Sequence, residues 1–586
     1  MTLWLTLLSL LVTLGCGTNY GHVPRANIVM VNAEGHPVDS TGNVGCKTNE
    51  GTSCNGRHSS LFEYPQLTSD EYIKQLDELN QGLEQHLKDK QGKGKSVKIL
   101  IFIHGGLNLQ TETVERATKL SKAILKDSDS DTYPIFINWQ SSLFPSYNNH
   151  LFHIRQGEDW RDGLWSSLGG YATSPFYLAA DLTRAVARSP VVTFFQIRND
   201  IETVPALRPV STLWSSDLAL AQEAAFEALC RQTSIVQSDY SNSQNEYTSL
   251  LRKRSFDCKH QDQLPKHELA DLNIWMGRDE RTGWQKNTAF LKYFVTLPTK
   301  LVTAPLLDTL GTSSWDIMLR SVSQLFHYDG EQAIHTNFRS APSDPNDYRQ
   351  AGALSLFLKK LSYTICEKSA AEKQCSNEKN WEITLVGHST GAIVTHHIIR
   401  EFGYLPISNI VYMGAASTIK DYQNTIFPYL ETRNFQSTDS TQRVPTDIEP
   451  TRVHSASPPL THAEVNKTPS NTPVKVYHLM LHETAESSEW MSDFLDPAPR
   501  GSLLVWLDSF LSHPLSKDDR TLGRFTNFIT AVHHTPQELR PYIFATKFGV
   551  GENLKSPQKH GHFSHLKFWD ADCWKPIGIS KECFKH

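Results

Sequence analysis

Trp381-Glu382-Ile383-Thr384-Leu385-Val386-Gly387-His388-Ser389-Thr390-Gly391-Ala392-Ile393-Val394 is the stretch whose reading decides the fold. A short apolar, β-prone run meets a tight turn, and an apolar helical pattern follows. The turn is G-x-S-x-G, in which the serine sits at the apex of a strained strand-to-helix bend. Side chains at Gly387 and Gly391 would collide with the crowded backbone there. The helix N-terminus directs partial positive charge at the serine oxygen. Ser389 is therefore the candidate nucleophile. The plainer alternative is a Gly-Ser turn in an ordinary α/β protein.

Working outward, Val97-Lys98-Ile99-Leu100-Ile101-Phe102-Ile103 is fit for a buried parallel strand, and it runs into His104-Gly105-Gly106-Leu107-Asn108. Acyl transfer builds negative charge on a carbonyl oxygen and needs preorganised N–H donors. Glycines after an early strand let backbone amides approach a substrate closely. The oxyanion donors expected from the sequence are the amide of Gly106 or Leu107 together with that of Thr390. By itself the His-Gly-Gly turn is only a tight connection; paired with Ser389 it gains meaning. Val114, Ala117, Leu120 and Ile124 mark a crossover helix within 113–126, and Pro134–Trp139 is the next strand. Strand, helix and strand make a βαβ unit.

A serine hydroxyl needs a histidine to take its proton and a carboxylate to fix that histidine's tautomer. With G-x-S-x-G the chain order is Ser, acid, His, so the base belongs after the last strand, Tyr542–Gly549. His560 fits best, with His562 and His565 as rivals. The acid belongs after the strand Val474–Leu481, where Glu486 is preferred over Glu483. Asp421, after the preceding strand Asn409–Ala416, and Asp493 are the other options.

These features resemble the α/β-hydrolase superfamily, and within it a group of large, poorly characterised bacterial serine esterase- or lipase-like hydrolases. The matching residues are Phe102-Ile103-His104-Gly105-Gly106-Leu107-Asn108, Gly387-His388-Ser389-Thr390-Gly391, Arg500-Gly501-Ser502-Leu503-Leu504-Val505-Trp506, and His560-Gly561-His562-Phe563 followed by Phe568-Trp569. The resemblance covers most of 95–570. It implies an α/β-hydrolase fold, a mostly parallel sheet flanked by helices with a large helical insertion, and a serine nucleophile. It implies no substrate, because the superfamily spans esterases, lipases, amidases, thioesterases and inactive relatives. The polar stretch 430–472 departs from the family pattern.

Composition sets the outer bounds. The chain has 586 residues, 39% hydrophobic and 20% charged, with a net charge of −5. That suits a globular protein and, without a basic stripe, argues against nucleic-acid binding. Leu3–Leu14 is apolar but too short to span a bilayer, and it reads as a secretory signal. Leu11-Val12-Thr13-Leu14-Gly15-Cys16 resembles the lipobox of bacterial lipoproteins, with Cys16 the lipidated residue. The expected location is thus an exported, membrane-anchored one. Nine cysteines less Cys16 leave eight, in sequence-local pairs: Cys46 with Cys54, Cys230 with Cys258, Cys366 with Cys375, and Cys573 with Cys583. This spacing suits disulfides in an oxidising compartment and not zinc.

The expected organisation is a signal over 1–16, a tether and looped segment over 17–60, and one catalytic domain over 61–586. Within that domain lie a mainly helical insertion at 140–380, broken by Pro and Gly, and a flexible polar loop at 430–472. Thr68 and Glu71 have capping-box spacing ahead of an amphipathic helix carrying Ile73, Leu76, Leu79, Leu83 and Leu87. Gly92-Lys93-Gly94-Lys95-Ser96 is not a phosphate loop, since Asp89 stands where its first glycine belongs and the turn precedes a strand.

The function expected is acyl-enzyme hydrolysis of a carboxylic ester, a lipid ester included, with Ser389, His560 and Glu486 as the triad and no metal or organic cofactor. The partners expected are that small-molecule or lipid substrate and the membrane. The alternatives are a non-catalytic surface lipoprotein that uses the same fold for binding, and an amidase or protease.

Overall fold

Ile99, Ile101 and Ile103 enter one core cluster while Leu100 and Phe102 enter another. Side chains alternate across a strand, so a run that is apolar at both parities must be covered on both faces, the condition met by a parallel sheet between helical layers. The computed structural model describes residues 25–40, 64, 66–91, 97–106, 108–127, 131–155, 158–159, 164–203, 273–276, 282–327, 351–366, 375, 381–435, 473–489, 499–551, 556–574 and 581–584.

In chain order the principal elements are β1 (Ile28–Val31), α1 (Ser69–Gln91), β2 (Val97–Ile103), α2 (Gln110–Lys126), β3 (Thr132–Trp139), α3 (Leu143–Phe152), α4 (Leu164–Thr203), β4 (Asn273–Met276), α5 (Gly283–Phe326), α6 (Ala353–Cys366) and β5 (Trp381–His388). There follow α7 (Gly391–Phe402), β6 (Ile407–Met413), α8 (Ile419–Phe435), β7 (Lys475–Leu481), α9 (Glu483–Ser488), α10 (Leu503–Trp506), α11 (Phe525–His533) and β8 (Ile543–Phe548). The eight strands form one sheet in the order β1-β3-β2-β5-β6-β7-β8-β4, and every neighbouring pair is parallel. The α/β class and the helix-flanked parallel sheet agree with the sequence.

The strand order reverses between β2 and β5. From β2 the chain steps to β3 on one side, and from β5 it proceeds through β6, β7 and β8 on the other. A crevice opens outside the carboxyl ends of strands at such a reversal, and ligands of open α/β sheets bind there. The His104–Gly106 turn and the Ser389 turn are the carboxyl ends of these two strands.

Several expectations change. Part of the segment assigned as a tether is structure: β1 lies along β3, with Val29 paired to Ile137 and Val31 to Trp139. Four apolar residues among Gly, Asn and Ser are too few to shift a composition average, yet all four are buried. The insertion between β3 and β5 does not stay outside the sheet, for β4 returns to its far edge beside β8. Its helices also run through their prolines, Pro175 and Pro190 in α4 and Pro298 and Pro305 in α5, where a proline removes one backbone bond and kinks a helix without having to end it. The first residues of the polar loop belong to α8, because Leu430 is buried and the Asn434 side-chain amide pairs with both the N–H and the carbonyl of Val474. The remainder, 436–472, lies outside the described residues.

The capping box at Thr68 is present: the Thr68 N–H donates to the Glu71 carboxylate at 2.9 Å. Tyr72, rather than Ile73, joins Leu76, Leu79, Leu83 and Leu87 in the core. Disulfides join Cys366 to Cys375 and Cys573 to Cys583. Cys16, Cys46, Cys54, Cys230 and Cys258, the signal 1–16 and the turn 92–96 lie outside the described residues. Within the insertion, the Arg188 guanidinium of α4 holds the fully buried Asp308 carboxylate of α5 at 2.7 Å. A third apolar cluster packs Trp315 and Met318 of α5 against Ala416, Leu504 and Phe510.

Candidate active site

The turn after β5 forces Ser389 to φ 53°, a left-handed conformation that costs a non-glycine residue of order 1–3 kcal/mol and persists only where its surroundings impose it. Three backbone bonds impose it here. The Ser389 N–H donates to Met413 O at 2.9 Å, and the Ser389 carbonyl accepts from Ala416 N at 3.0 Å and Ala392 N at 3.1 Å. The side chain is buried, and its Oγ has no hydrogen-bond partner.

The two glycine-rich turns meet across the strand reversal. A Cβ on Gly105 would come 2.5 Å from the Ser389 Cβ, and one on Gly391 would come 2.3 Å from the Ile103 carbonyl oxygen. Only glycine allows this approach. Gly106 abuts Thr390, whose Oγ1 would lie 3.2 Å from an added Cβ. Gly106 and Thr390 are therefore neighbours beside Ser389, and Leu107 lies outside the described residues. His104 secures the first turn. Its Nε2 accepts the Trp139 N–H at 3.0 Å and its Nδ1 donates to the Gly105 carbonyl at 2.7 Å. Burial pushes this imidazole down to about 4, so it remains neutral and holds that tautomer.

His560 opens a 3-10 turn, His560–His565, that follows β8. Its ring stacks on His388, the residue before the serine, with centroids 5.2 Å apart, and the His388 Nε2–H donates to the His560 carbonyl at 3.2 Å. Gly414, at φ 54°, makes room for the ring, since a Cβ there would fall 2.6 Å from its Cε1. His560 and Ser389 are thus held around one segment, Met413–Ala416. No hydrogen bond joins them, and the His560 Nε2 is unpartnered. Bonds of this kind are often long until substrate is bound.

The buried Glu486 carboxylate faces the His560 Nδ1 at 3.7 Å, slightly beyond hydrogen-bond length. Its other oxygen accepts the Ser502 hydroxyl, and its carbonyl accepts the Ser502 N–H at 2.7 Å. Burial pushes His560 down, but the contact with Glu486 and the charges of Glu486 and Glu489 outweigh it, and the imidazole rests above its ordinary 6.5.

The rival residues have other commitments. Glu483 faces Lys547 at 3.6 Å and His482 at 3.8 Å. Asp421 holds His396 at 2.5 Å and also Arg400. Burial raises its carboxyl, but those two partners prevail and keep it well below the usual carboxylate range. The half-buried His562 stacks on the exposed His565, and Asp493 lies outside the described residues. His388, Gly414, Ser502 and Glu489 were not singled out by the sequence. The Arg500–Trp506 motif carried the one usable signal, because Ser502 is both its helix cap and the anchor of Glu486.

If His560 is the pivot of this arrangement, Gly414→Ala should displace it. The added methyl cannot fit beside the ring, and a shift near 1 Å at a reacting group lowers turnover about 100-fold. Kinetics alongside a melting curve check this, since a fall in activity matched by global unfolding would contradict it.

No protein-family model, no curated protein and no solved structure matches the chain.

Proposed function

We propose that the protein is a serine hydrolase of α/β-hydrolase type that cleaves a carboxylic ester through an acyl-enzyme. One observation carries the reading: next to an unpartnered, buried serine hydroxyl on a left-handed turn, His388 stacks on a histidine whose Nδ1 faces a buried carboxylate. Ser389 Oγ attacks the ester carbonyl carbon as the His560 Nε2 takes its proton, with Glu486 facing the resulting imidazolium. The amides of Gly106 or Leu107 and of Thr390 stabilise the oxyanion. His560 then passes the proton to the departing alkoxide. Water, deprotonated by the same imidazole, attacks the acyl carbon, and the acid leaves as Ser389 recovers its proton.

A lipid ester is the preferred substrate, with the chain anchored through Cys16. The exposed apolar side chains of the insertion, Phe176, Val186 and Val295 among them, support an apolar ligand. Among the described residues no helix is long and apolar enough to cross a membrane. The missing hydrogen bond between Ser389 and His560 favours a second reading, a binding protein that keeps this architecture without turnover.

A fluorophosphonate probe applied to the disulfide-intact protein, followed by peptide mapping, separates the two. Adduct on the Ser389 peptide supports a hydrolase; no adduct, with and without detergent micelles, supports the binding protein. The rate should also rise with pH through a value above 6.5, because the base acts only when neutral and its folded pKa is raised. A pH–rate profile with its acid limb centred at or below 6.5 would count against His560 as the base.

A further inference from the structure

We propose that Glu489 is a second positioning carboxylate, one that grips the main chain of the candidate base while its charge favours the base's protonated form. The inference rests on the hydrolase reading for its meaning and for its labelling test, though not for its titration test. Glu489 is the residue at which α9 ends. Its Oε2 accepts the His560 backbone N–H at 2.8 Å, and its own carbonyl accepts the Gly501 N–H at 3.0 Å. Glu486 stands three positions earlier, a spacing that puts both side chains on one side of a helical turn. Glu486 faces the imidazole and Glu489 holds the peptide behind it. Since the His560 carbonyl is held by His388, the base has both of its backbone polar groups bonded to side chains.

Among the described residues, the charges acting on this arrangement are these. Glu489 faces His560, Glu486 and Lys559. His560 faces Glu486, Glu489 and His388, and the charges of Arg116 and His104 act on His388. Burial drives the Glu489 carboxyl up, His560 opposes this, Glu486 reinforces it, and the group settles at about 7. Glu489 is thus raised far above the usual carboxylate range, while His560 is raised above its ordinary value by the same pair of carboxylates. When ionised it favours the imidazolium, the form His560 takes once it has accepted the Ser389 proton. When protonated it withdraws that support but can still accept the backbone N–H.

The test uses the full-length protein carrying 13C-labelled histidine, with the His560 Cε1–H signal assigned by its loss in His560→Gln. In Glu489→Gln the amide oxygen still accepts the N–H but the charge is gone. The His560 midpoint is expected to fall by about half a pH unit or more, as loss of a nearby opposite charge requires, with an unchanged melting temperature. Glu489→Ala, which removes the grip as well, should also slow fluorophosphonate labelling about tenfold, as misplacement of a base does. A His560 midpoint in Glu489→Gln equal to that of the native chain would overturn the electrostatic half. Labelling of Glu489→Ala at the native rate would overturn the positional half. The titration needs no turnover, so an unlabelled protein whose His560 midpoint still follows residue 489 would defeat the hydrolase reading, and with it the positional half, and leave the electrostatic half standing.

Discussion

On the proposed hydrolase reading, replacing Ser389 by alanine is expected to lower ester turnover by on the order of 10⁶-fold, the scale on which a triad nucleophile matters. Its effect on stability should be small for a reason particular to this site. The Ser389 hydroxyl is buried without a partner, so deleting it orphans no donor or acceptor, and a buried polar atom left unmatched is what makes such deletions costly. The backbone bonds that fix the turn involve only the Ser389 N–H and carbonyl, and alanine retains both. The measurement is kcat/KM on a short-chain ester with a melting curve on the same sample. A loss under about tenfold would mean that the oxyanion donors and binding do most of the work, and Ser389 would cease to be the nucleophile.

Glu486→Gln should cost on the order of 10⁴ in kcat, as substitution of a triad acid by its amide does when geometry is kept and the tautomer is lost. Glutamine has the same shape and its carbonyl oxygen can still accept the Ser502 hydroxyl. It cannot supply the negative charge that raises His560. The change should therefore appear in kcat more than in KM, and the acid limb of the pH profile should move downward. Glu483→Gln is the control. Its carboxylate serves Lys547, and a comparable loss of kcat there would transfer the acid's role from Glu486.

How much of this was legible depends on whether the deciding contact is local. The Ser389 turn, the His104–Gly106 turn and β2 announce themselves through neighbours in sequence: glycines at fixed offsets and apolar residues at both parities. His560 was legible as the histidine after the last strand. The acid could not be settled from the sequence alone, because Glu483, Glu486 and Asp421 all follow strands and differ only in what lies across the fold. Lys547, His560 and His396 are respectively the groups they face, and each of these contacts depends on tertiary packing. Glu489, which acts on a backbone N–H distant in the chain, has no sequence signature of its own. β1 was missed for another reason: an edge strand of four residues is too short to show a period, and it is recognisable only by its pairing with β3.

The adjacency of β2 and β5 also bears on how the chain reaches its native state. β2 can pair with β3 as soon as both have left the ribosome, for only α2 separates them. Its other edge, the run Val97–Ile103 facing Trp381–Gly387, must wait until the whole insertion has been made. Through that interval a strongly apolar strand of the sheet has one row of peptide groups unpaired, the condition under which strands recruit copies of themselves. Non-local pairing of this kind also slows folding. Recovery from denaturant should thus fall steeply with protein concentration, and a separately added peptide spanning β2 should be an effective seed of the aggregate.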